Sequence, residues 1–451
     1  MMVQDWSNRM DIKELQKIIQ ENGVVGAGGA GFPTYVKIDE RANTILMNCA
    51  ECEPLLKLHR QLLKQHAYEI MKTFHMIAET VGAKEAIIGV KKSYKDTVNA
   101  LNQHLGEFPG MRLALLDEVY PMGDEIVLIY EATGRVVRPG GLPIEEGVAV
   151  FNVETVYNIY RAVEMNHPVT DKLVSVVAEV EHPVTVRVPL GTPLCEVVAM
   201  AGQTTTKDAV YFVGGPMMGN IGTGSQPVTK TTNAVLVLPG DHTIVQKKLR
   251  KSSIDMKRAA SICCQCRTCT DLCPRNNLGH PIDPALFMRA ASNKDFQDMN
   301  PYLNANFCSS CGVCEMYSCP QSLAPRSLLA DMKFGLKKAG VRPPQGVQAA
   351  PVKESREYRK VPEERLMARL NLTRYDKDAP LDDKVVAVKK VSINLSQHIG
   401  APAQAIVKIG EQVTAGQMIA KPAQGLSVAI HASISGVVLD VTDRAIVIEA
   451  K

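Results

Sequence analysis

Two periodicities of hydrophobic residues divide the chain. In the first third, apolar residues recur every three or four positions in stretches such as 62–78, which predicts a long amphipathic helix ending near Gly82. Short apolar runs at 44–48, 86–90 and 113–116 lie between such stretches and have the length of buried strands. Helices that alternate with such strands predict an α/β arrangement of layers.

The opening segment predicts one further helix. Asp11 can cap it, and Ile12, Leu15, Ile18 and Ile19 would share one apolar face. That face could either pack on the first domain or dock on a partner protein.

From residue 169 onwards the period changes. Apolar and polar residues alternate as in strands, a turn is predicted at 189–193, and a short helix follows. The stretch 341–384 is rich in proline and charge, which predicts a linker or a strap across the surface. Short β runs broken by glycine then fill 385–451.

The composition is typical of a globular chain with several domains. Its 451 residues exceed one ordinary core, and 45% of them are hydrophobic against 22% charged. A formal net charge of +4 is too small to indicate nucleic-acid binding. Since the sequence has no apolar run of membrane-spanning length, we expect a soluble protein without direct membrane insertion.

Eight of the twelve cysteines form two similar motifs. The first starts at Cys263 and reads C-x-x-C-x-x-C-x-x-x-C-P, and the second starts at Cys308 and has one more residue before its last cysteine. Three thiolates within seven residues suit an iron–sulfur cubane, which in two-cluster ferredoxins takes its fourth ligand from the other motif. We therefore predict a first [4Fe–4S] cluster on Cys263, Cys266, Cys269 and Cys319, and a second on Cys308, Cys311, Cys314 and Cys273.

Structural zinc is the main alternative, but zinc sites usually separate two C-x-x-C pairs by a longer spacer. A disulfide framework fits poorly with a long chain whose other cysteines are sparse. Cys264 is treated as a neighbour of the ligands, because using it instead of Cys263 would shorten the spacing to C-x-C. Iron–sulfur clusters require a reducing compartment such as the cytoplasm.

A glycine-rich segment follows the opening helix. Gly26, Gly28 and Gly31 satisfy G-x-G-x-x-G, but only two valines precede them and Pro33 follows, so the dinucleotide fingerprint lacks its strand and helix. Five glycines in nine residues would let backbone N–H groups close around a phosphate or a flat ring. A purely structural turn is the alternative.

Several motifs together resemble a known flavin-binding domain. GAGGAGFPT, NCAECEP, YPMGDE, RPGGLP and FNVET are similar to segments of the domain shared by the NADH-oxidising subunit of respiratory complex I and the C subunit of the Rnf complex. GGPMMG at 214–219 and the paired cysteine motifs are closer to the Rnf-type protein. The resemblance implies FMN held by Gly26, Gly28, Gly29, Asn48, Glu51, Tyr120, Gly123 and Asn152, and NADH held by Phe32, Lys37, Glu53 and Glu125.

Two positions depart from the complex I pattern. Ala27 stands where those proteins carry arginine, and Ala50 stands where they carry an acid, which weakens the implied contacts to the nucleotide more than those to the flavin. Cys49 and Cys52 form a C-x-x-C that could be a redox pair. The Rnf-type motif has a cysteine in its ECEP segment, which favours loop packing instead.

The resemblance also implies a multidomain α/β and α+β architecture. Its parts are an FMN/NADH-binding α/β domain at 1–166, a soluble-ligand-binding-type β-grasp module at 167–248, a two-[4Fe–4S] ferredoxin-like helical domain at 249–340, a linker at 341–384 and a barrel-sandwich hybrid at 385–451. The β-grasp module is expected to be a spacer. The barrel has no lysine at its hairpin tip to carry a biotinyl or lipoyl group, so a structural or docking role is expected. His398 and His431 are metal or corrin ligands or, alternatively, plain polar residues.

In Rnf-type proteins the barrel precedes the flavin domain, whereas here it comes last. This order resembles the cobalamin reductases of propanediol-utilisation microcompartments. The resemblance implies that electrons pass from NADH through FMN and two [4Fe–4S] clusters to cob(III)alamin and cob(II)alamin, so that cob(I)alamin serves adenosylcobalamin synthesis in 1,2-propanediol degradation. It implies a cobalamin adenosyltransferase and a microcompartment shell protein as partners, and a cytoplasmic location inside or on the microcompartment.

Two alternatives remain open. One is an electron-transfer component of an Rnf-type membrane ion pump, and the other is a non-catalytic conduit or scaffold bound to a shell protein. The sequence shows no general acid–base constellation and no residue that marks a corrinoid site.

Overall fold

The computed structural model describes residues 10–451. Residues 1–9 of the predicted first domain lie outside the described residues. The elements of the first domain are α1 (Ile12–Glu21), β1 (Thr44–Cys49), α2 (Leu58–Gln65), α3 (Ala67–Val81), β2 (Glu85–Lys91), α4 (Lys95–His104), β3 (Met111–Leu116), β4 (Val119–Tyr120), α5 (Glu125–Thr133), β5 (Val148–Asn152) and α6 (Val153–Met165).

A parallel sheet in the order β3-β2-β1-β5 forms the centre of this domain. Helices cover it, as the alternating periodicities predict. From β1 the chain proceeds outwards to β2 and β3, and then returns to the other side of β1 as β5. A reversal of this kind leaves a crevice at the carboxyl ends of β1 and β5, where open α/β sheets bind ligands.

The opening helix packs on the first domain. Asp11 caps α1 by accepting a hydrogen bond from the Lys13 N–H at 3.0 Å, and Leu15 and Ile19 are fully buried in the core of the domain. The apolar face of α1 therefore packs on the first domain, which is one of the two possibilities that the sequence left open.

The predicted long helix is two helices, α2 and α3, which meet at His66. The backbone of His66 leaves the helical region, with φ −123° and ψ 40°, and its ring lies 3.3 Å from the Asp383 carboxylate and 4.6 Å from the Tyr157 ring. These contacts come from distant segments, so apolar periodicity cannot reveal the break. The end of α3 at Gly82 is as predicted, because Gly82 adopts the left-handed conformation with φ +73°.

A second sheet belongs to the β-grasp module. Its elements are β6 (Asp171–Ala178), β7 (Val184–Pro189), α7 (Leu194–Ala199), β8 (Ala209–Val213), β9 (Asn220–Gly222), β10 (Ala234–Pro239) and α8 (Thr243–Leu249). The strands lie in the order β7-β6-β10-β8-β9, and α7 packs beneath them through buried Leu194 and Val197.

Short helices surround the two cysteine motifs. They are α9 (Ser252–Ile262), α10 (Thr268–Asp271), α11 (Pro274–Asn277), α12 (Pro284–Asn293), α13 (Asn300–Leu303), a π-helix at Val313–Ser318, and α14 (Pro325–Lys338). Phe287 and Leu329 are buried between them.

The segment 341–384 is a strap across three modules. It contains β11 (Val361–Pro362), α15 (Glu363–Arg369) and most of β12 (Leu381–Val385). β11 pairs with β4 of the first domain, and β12 forms the edge strand beside β7 of the second sheet. Of the two structures that its composition predicts, the segment is therefore the surface strap and not a free linker.

Two small sheets form the C-terminal module. Its strands are β13 (Lys390–Asn394), β14 (Gln404–Ala405), β15 (Gln412–Val413), β16 (Met418–Lys421), β17 (Ile430–His431), β18 (Gly436–Val441) and β19 (Ala445–Ala450). The sheets β13-β19-β18-β15 and β14-β16-β17 enclose a core that includes Ile393, Ile419 and Ile448. The architecture is therefore the predicted multidomain α/β and α+β arrangement. Among the helices of residues 10–451, none combines the length and apolarity that a membrane span requires.

Candidate functional site

The crevice between β1 and β5 gathers polar residues from separate segments. Asn48 and Asn152 lie opposite each other in the sheet register at its carboxyl edge. The Asn48 amide donates to the Gly123 carbonyl at 2.9 Å, and Asn152 caps α6 by accepting from the Glu154 N–H at 2.9 Å. A methyl group at Gly28 would lie 3.3 Å from the Asn152 amide nitrogen. Four of the residues predicted to bind FMN therefore meet here.

The glycine-rich segment forms a closed loop above this crevice. The Gly26 N–H donates to the Phe32 carbonyl at 2.8 Å, and the Ala27 N–H donates to the Thr155 hydroxyl at 2.9 Å. Gly29 has φ +82°, and a methyl group there would meet no atom of the described chain within 4 Å. The loop is thus anchored through its neighbours and leaves open space beside Gly29.

Glu51 lies at the amino end of α2. One of its carboxylate oxygens accepts from the His59 and Arg60 N–H groups, at 2.9 and 3.3 Å. The other oxygen is buried, lies 3.3 Å from Nδ1 of His59, and forms no hydrogen bond with any residue in 10–451. A buried carboxylate oxygen without a hydrogen bond in the described chain, at the sheet edge where Asn152 lies close to Gly28, fits a bound FMN.

Three of the four residues predicted to bind NADH lie together. The Lys37 ammonium donates to the Glu125 carboxylate at 3.2 Å and to the Val150 carbonyl at 2.7 Å. It also lies 5.9 Å from the centre of the Phe32 ring. This group borders the glycine loop, and its role in NADH binding stays a prediction.

Glu53, the fourth of these residues, has other partners. Its carboxylate accepts from the Met217 N–H at 2.8 Å and from the Met218 N–H at 3.0 Å, so it holds the GGPMMG loop of the second module. A side chain at Gly215 would collide with Glu53, which explains the glycine at that position. Burial raises the pKa of Glu53 to about 7.

The YPMGDE segment contacts the second cysteine motif directly. The Tyr120 hydroxyl, predicted to lie at the flavin, donates to the Cys311 carbonyl at 2.5 Å. Four residues later, the Asp124 carboxylate forms an ion pair with Arg275 at 2.8 Å. Arg275 follows Cys273 by two residues, so the first domain is joined at two points to the cysteines predicted to bind the second cluster.

The two sets of cysteines line two separate cavities. One is bordered by Cys263, Cys266, Cys269 and Cys319, and the other by Cys273, Cys308, Cys311 and Cys314. In each case the fourth cysteine comes from the opposite motif, which is the grouping that the spacing predicts. Cys264 is exposed and also borders the first cavity, so its exclusion as a ligand stays a prediction.

The two cysteine loops share one backbone conformation. Gln265 and Arg267 in the first loop have φ of +53° and +63°, and the corresponding Ser310 and Gly312 have +60° and +82°. Three of these four residues carry a side chain, for which the left-handed region costs about 1 kcal/mol each. Strain of this kind, repeated at the same two positions, is typical of a functional loop.

The extra residue of the second motif is accommodated in a π-helix. Where the first motif continues as α10, the second continues as the wider turn Val313–Ser318 before Cys319. An insertion of one residue into a helical turn commonly produces this geometry. Glu315 within it is buried and accepts hydrogen bonds from the Ser327 N–H and hydroxyl, at 2.9 and 3.1 Å.

The two cavities differ in exposure. Cys273 and Cys314 are buried, whereas Cys266 is exposed. Burial, followed by the proximity of other thiols of its set, raises the pKa of Cys269 to about 12, so ligation requires a cation that stabilises the thiolate. Within residues 10–451 no group of three or more Cys, His, Asp or Glu side chains is arranged to hold a single metal ion. The cysteines of each set border a cavity, as the ligands of a cubane do.

Sequence reasoning missed the contribution of the turn before β10. Lys230 is fully buried and donates to the carbonyls of Gly23 at 2.6 Å and of Ala429 at 3.2 Å, so it links the glycine loop to the barrel. Burial lowers its pKa to about 7. A lysine in a polar run gives no sequence signal for such burial.

The two barrel histidines lie near this link. His398 accepts a hydrogen bond from the Val428 N–H at 3.4 Å, and burial lowers the pKa of His431 to about 3. The contacts of His398 are those of a structural polar residue.

Comparison with protein families assigns the modules. The first domain matches the Nuo51 FMN-binding domain over residues 19–161, the cysteine region matches a 4Fe-4S dicluster domain over 262–324, and the C-terminal module matches the RnfC barrel sandwich hybrid domain over 375–451. Together with the geometry above, these matches define a flavin- and iron–sulfur-containing oxidoreductase.

Whole-chain comparison identifies the family. The chain is 42% identical to Cobalamin reductase PduS of Salmonella typhimurium, with 96% of each chain covered, and 40% identical to Cobalamin reductase PduS of Citrobacter freundii, with 98% of each covered. It is 31% identical to the C subunit of the ion-translocating oxidoreductase complex of Erwinia tasmaniensis, over 58% of this chain and 32% of that one. The chain belongs to the PduS cobalamin reductase family.

Proposed function

We propose that this chain is an NADH-dependent cobalamin reductase in which electrons enter at the β1–β5 crevice, pass to the second cluster, continue to the first cluster and leave there for the corrinoid. The names of the two full-length relatives support cobalamin as the acceptor. NADH as donor rests on the resemblance of the first domain and on the arrangement of Lys37, Phe32 and Glu125 beside the glycine loop.

One observation carries the order of the centres. The Tyr120 hydroxyl binds the Cys311 carbonyl in the second cysteine loop, so the flavin segment contacts that loop directly. These contacts lead to the predicted ligand set of the second cluster, in which Cys273 and Cys314 are buried. The first motif presents Cys266 and Cys264 to solvent, which is the arrangement needed to deliver electrons to an external acceptor.

The cofactors supply the redox chemistry, because FMN accepts a hydride and releases electrons singly while the clusters carry one electron at a time. The chain supplies position. Asn48, Asn152 and the glycine loop would hold FMN at the sheet edge, and Lys37 offers a cation close to where a nucleotide would lie. The predicted cysteine ligands would hold the two clusters.

The physiological setting follows from the same proposal. Reduction to cob(I)alamin would supply a cobalamin adenosyltransferase, and a microcompartment shell protein would retain the enzyme where 1,2-propanediol is degraded. Coexpression followed by affinity capture tests both partners. Capture of neither from cells that make microcompartments would argue against this setting.

Anaerobic assay of the reconstituted chain tests the activity. With FMN and both clusters in place, NADH should convert cob(III)alamin to cob(II)alamin in the visible spectrum, and an alkylating trap should report cob(I)alamin. NADPH serves as the matched alternative donor. An enzyme with full iron and flavin content that leaves the corrinoid unchanged would overturn the proposal.

A role as a component of a membrane ion pump is the second candidate. The match to a protein of an ion-translocating complex favours it, although that match covers only a third of the relative. Obligate copurification with membrane proteins would support this role, and full corrinoid reduction by the isolated chain would argue against it.

A further inference from the structure

The turn Thr229 to Asn233 of the β-grasp module lies against the glycine loop. Its last residue, Asn233, precedes β10, and its carbonyl accepts from the Ser175 N–H of β6 at 3.0 Å. The backbone of Asn233 is therefore fixed by the sheet, while its side chain is free to extend towards the first domain.

The Asn233 side chain ends beside Gly28. Its amide nitrogen lies 3.9 Å from the position of a methyl group on Gly28, and the Asn152 amide nitrogen lies 3.3 Å from the same point. The Asn233 amide oxygen is buried and forms no hydrogen bond with the part of the chain that the structure describes. Two primary amides from different modules thus flank the glycine at which FMN is expected.

The rest of the turn is fastened to the glycine loop. Lys230 donates from its ammonium to the Gly23 carbonyl, and its backbone N–H donates to the Gln397 amide at 3.0 Å. The Thr231 methyl lies 3.0 Å from the position of a methyl group on Gly31. Burying a lysine ammonium between backbone carbonyls costs free energy of folding. The presence of this contact therefore indicates that the position of the turn relative to the glycine loop is important for the site.

We propose that Asn233 contacts the bound flavin nucleotide and that Lys230 is a positioning residue that holds the glycine loop against it. This rests on the proposed function, since it requires FMN in the β1–β5 crevice. A primary amide offers both donors and an acceptor, which suits the alternating oxygen and nitrogen atoms of a flavin or its ribityl hydroxyls. The β-grasp module then forms one wall of the cofactor site and is more than the spacer expected from the sequence.

The test measures FMN affinity of the flavin-free protein, with its clusters intact, by quenching of flavin fluorescence. Asn233→Ala should bind FMN about 5- to 10-fold more weakly, as expected for one lost hydrogen bond, with unchanged iron content and thermal midpoint of the flavin-free form. Asn220→Ala, an exposed asparagine on β9 of the same module, is the matched control and should bind like wild type.

A second variant covers the case in which alanine disturbs the turn. Asn233→Asp keeps the shape and adds a negative charge, so it should lower the reduction potential of bound flavin, which a purely structural role would not do. Affinity and potential equal to wild type in both variants would overturn the inference while leaving the proposed function intact. A wild-type protein that binds no FMN would overturn both.

Discussion

Replacing Glu53 by glutamine tests whether the contact between the first two modules titrates near neutral pH. Burial raises the pKa of Glu53 from 4.5 to about 7 in the folded chain. Between these values the folded chain retains a proton that the unfolded chain has already released. Its free energy of unfolding therefore falls as the pH rises through this window, by about 3 kcal/mol at 1.36 kcal/mol per unit, and levels off above it.

The variant Glu53→Gln carries no proton to release at this position. Relative to wild type, its free energy of unfolding should thus increase by about 3 kcal/mol between pH 4.5 and pH 7.5. One amide N–H of the 217–218 segment loses its acceptor, which costs about 1–3 kcal/mol at every pH and shifts the whole curve without changing its slope.

Anaerobic urea unfolding at a series of pH values measures this difference. Glu196→Gln is the control, because Glu196 is exposed on the same second module and should follow the wild-type curve. If the free energies of unfolding of wild type and Glu53→Gln changed in parallel between pH 4.5 and pH 7.5, the reasoning would be refuted. The Glu53 carboxyl would then have the same pKa in the folded and the unfolded chain.

Four further substitutions probe the cluster ligands, the contact between modules and the buried charges. Cys319→Ala and Cys273→Ala should each reduce the iron content from about eight to about four atoms per chain. Only Cys319→Ala should leave the NADH-driven reduction of the second cluster intact, as measured by EPR. Loss of this EPR signal in both variants would contradict the crossed ligand sets. Tyr120→Phe removes one hydrogen bond, so it should lower the free energy of unfolding by about 1 kcal/mol and slow cluster reduction in stopped flow without slowing flavin reduction; unchanged cluster kinetics would count against the proposed route. Arg161→Met leaves buried Asp171 with one arginine fewer and should cost about 3 kcal/mol in urea unfolding, while an effect below about 1 kcal/mol would show that the pair is solvated.

Local chemistry explains what the sequence could predict. The cysteine spacing sets which thiols share a loop, and the structure groups Cys319 with the first motif and Cys273 with the second, as the ferredoxin pattern requires. The α/β arrangement of the first domain followed from apolar runs between amphipathic stretches, and the capping of α1 by Asp11 followed from its position. Each of these features is encoded within a few tens of residues.

Long-range contacts explain what the sequence could not predict. Glu53 accepts hydrogen bonds from a loop more than 160 residues away in the chain. The pattern of residues around Glu53 does not predict this partner. His66 interrupts an apolar repeat because it meets Asp383 from the strap. Lys230 and Asn233 lie in a polar run that resembles any surface turn, although the structure buries the lysine and aims the asparagine at the glycine loop.

The strap explains how the first domain, the second cysteine motif and the barrel are held in one arrangement. β4 is two residues long, and a strand of that length has little stability without a partner. β11 of the strap supplies this partner by pairing Val361 with Tyr120, the residue whose hydroxyl reaches Cys311. The chain then continues through β12 at the edge of the second sheet into the barrel, where the Ile399 N–H donates to the Gly31 carbonyl at 3.3 Å. The last quarter of the chain therefore fixes both sides of the candidate flavin site, namely its contact with the second cysteine motif and its glycine loop. This gives a structural reason for a barrel that follows the cysteine-rich domain.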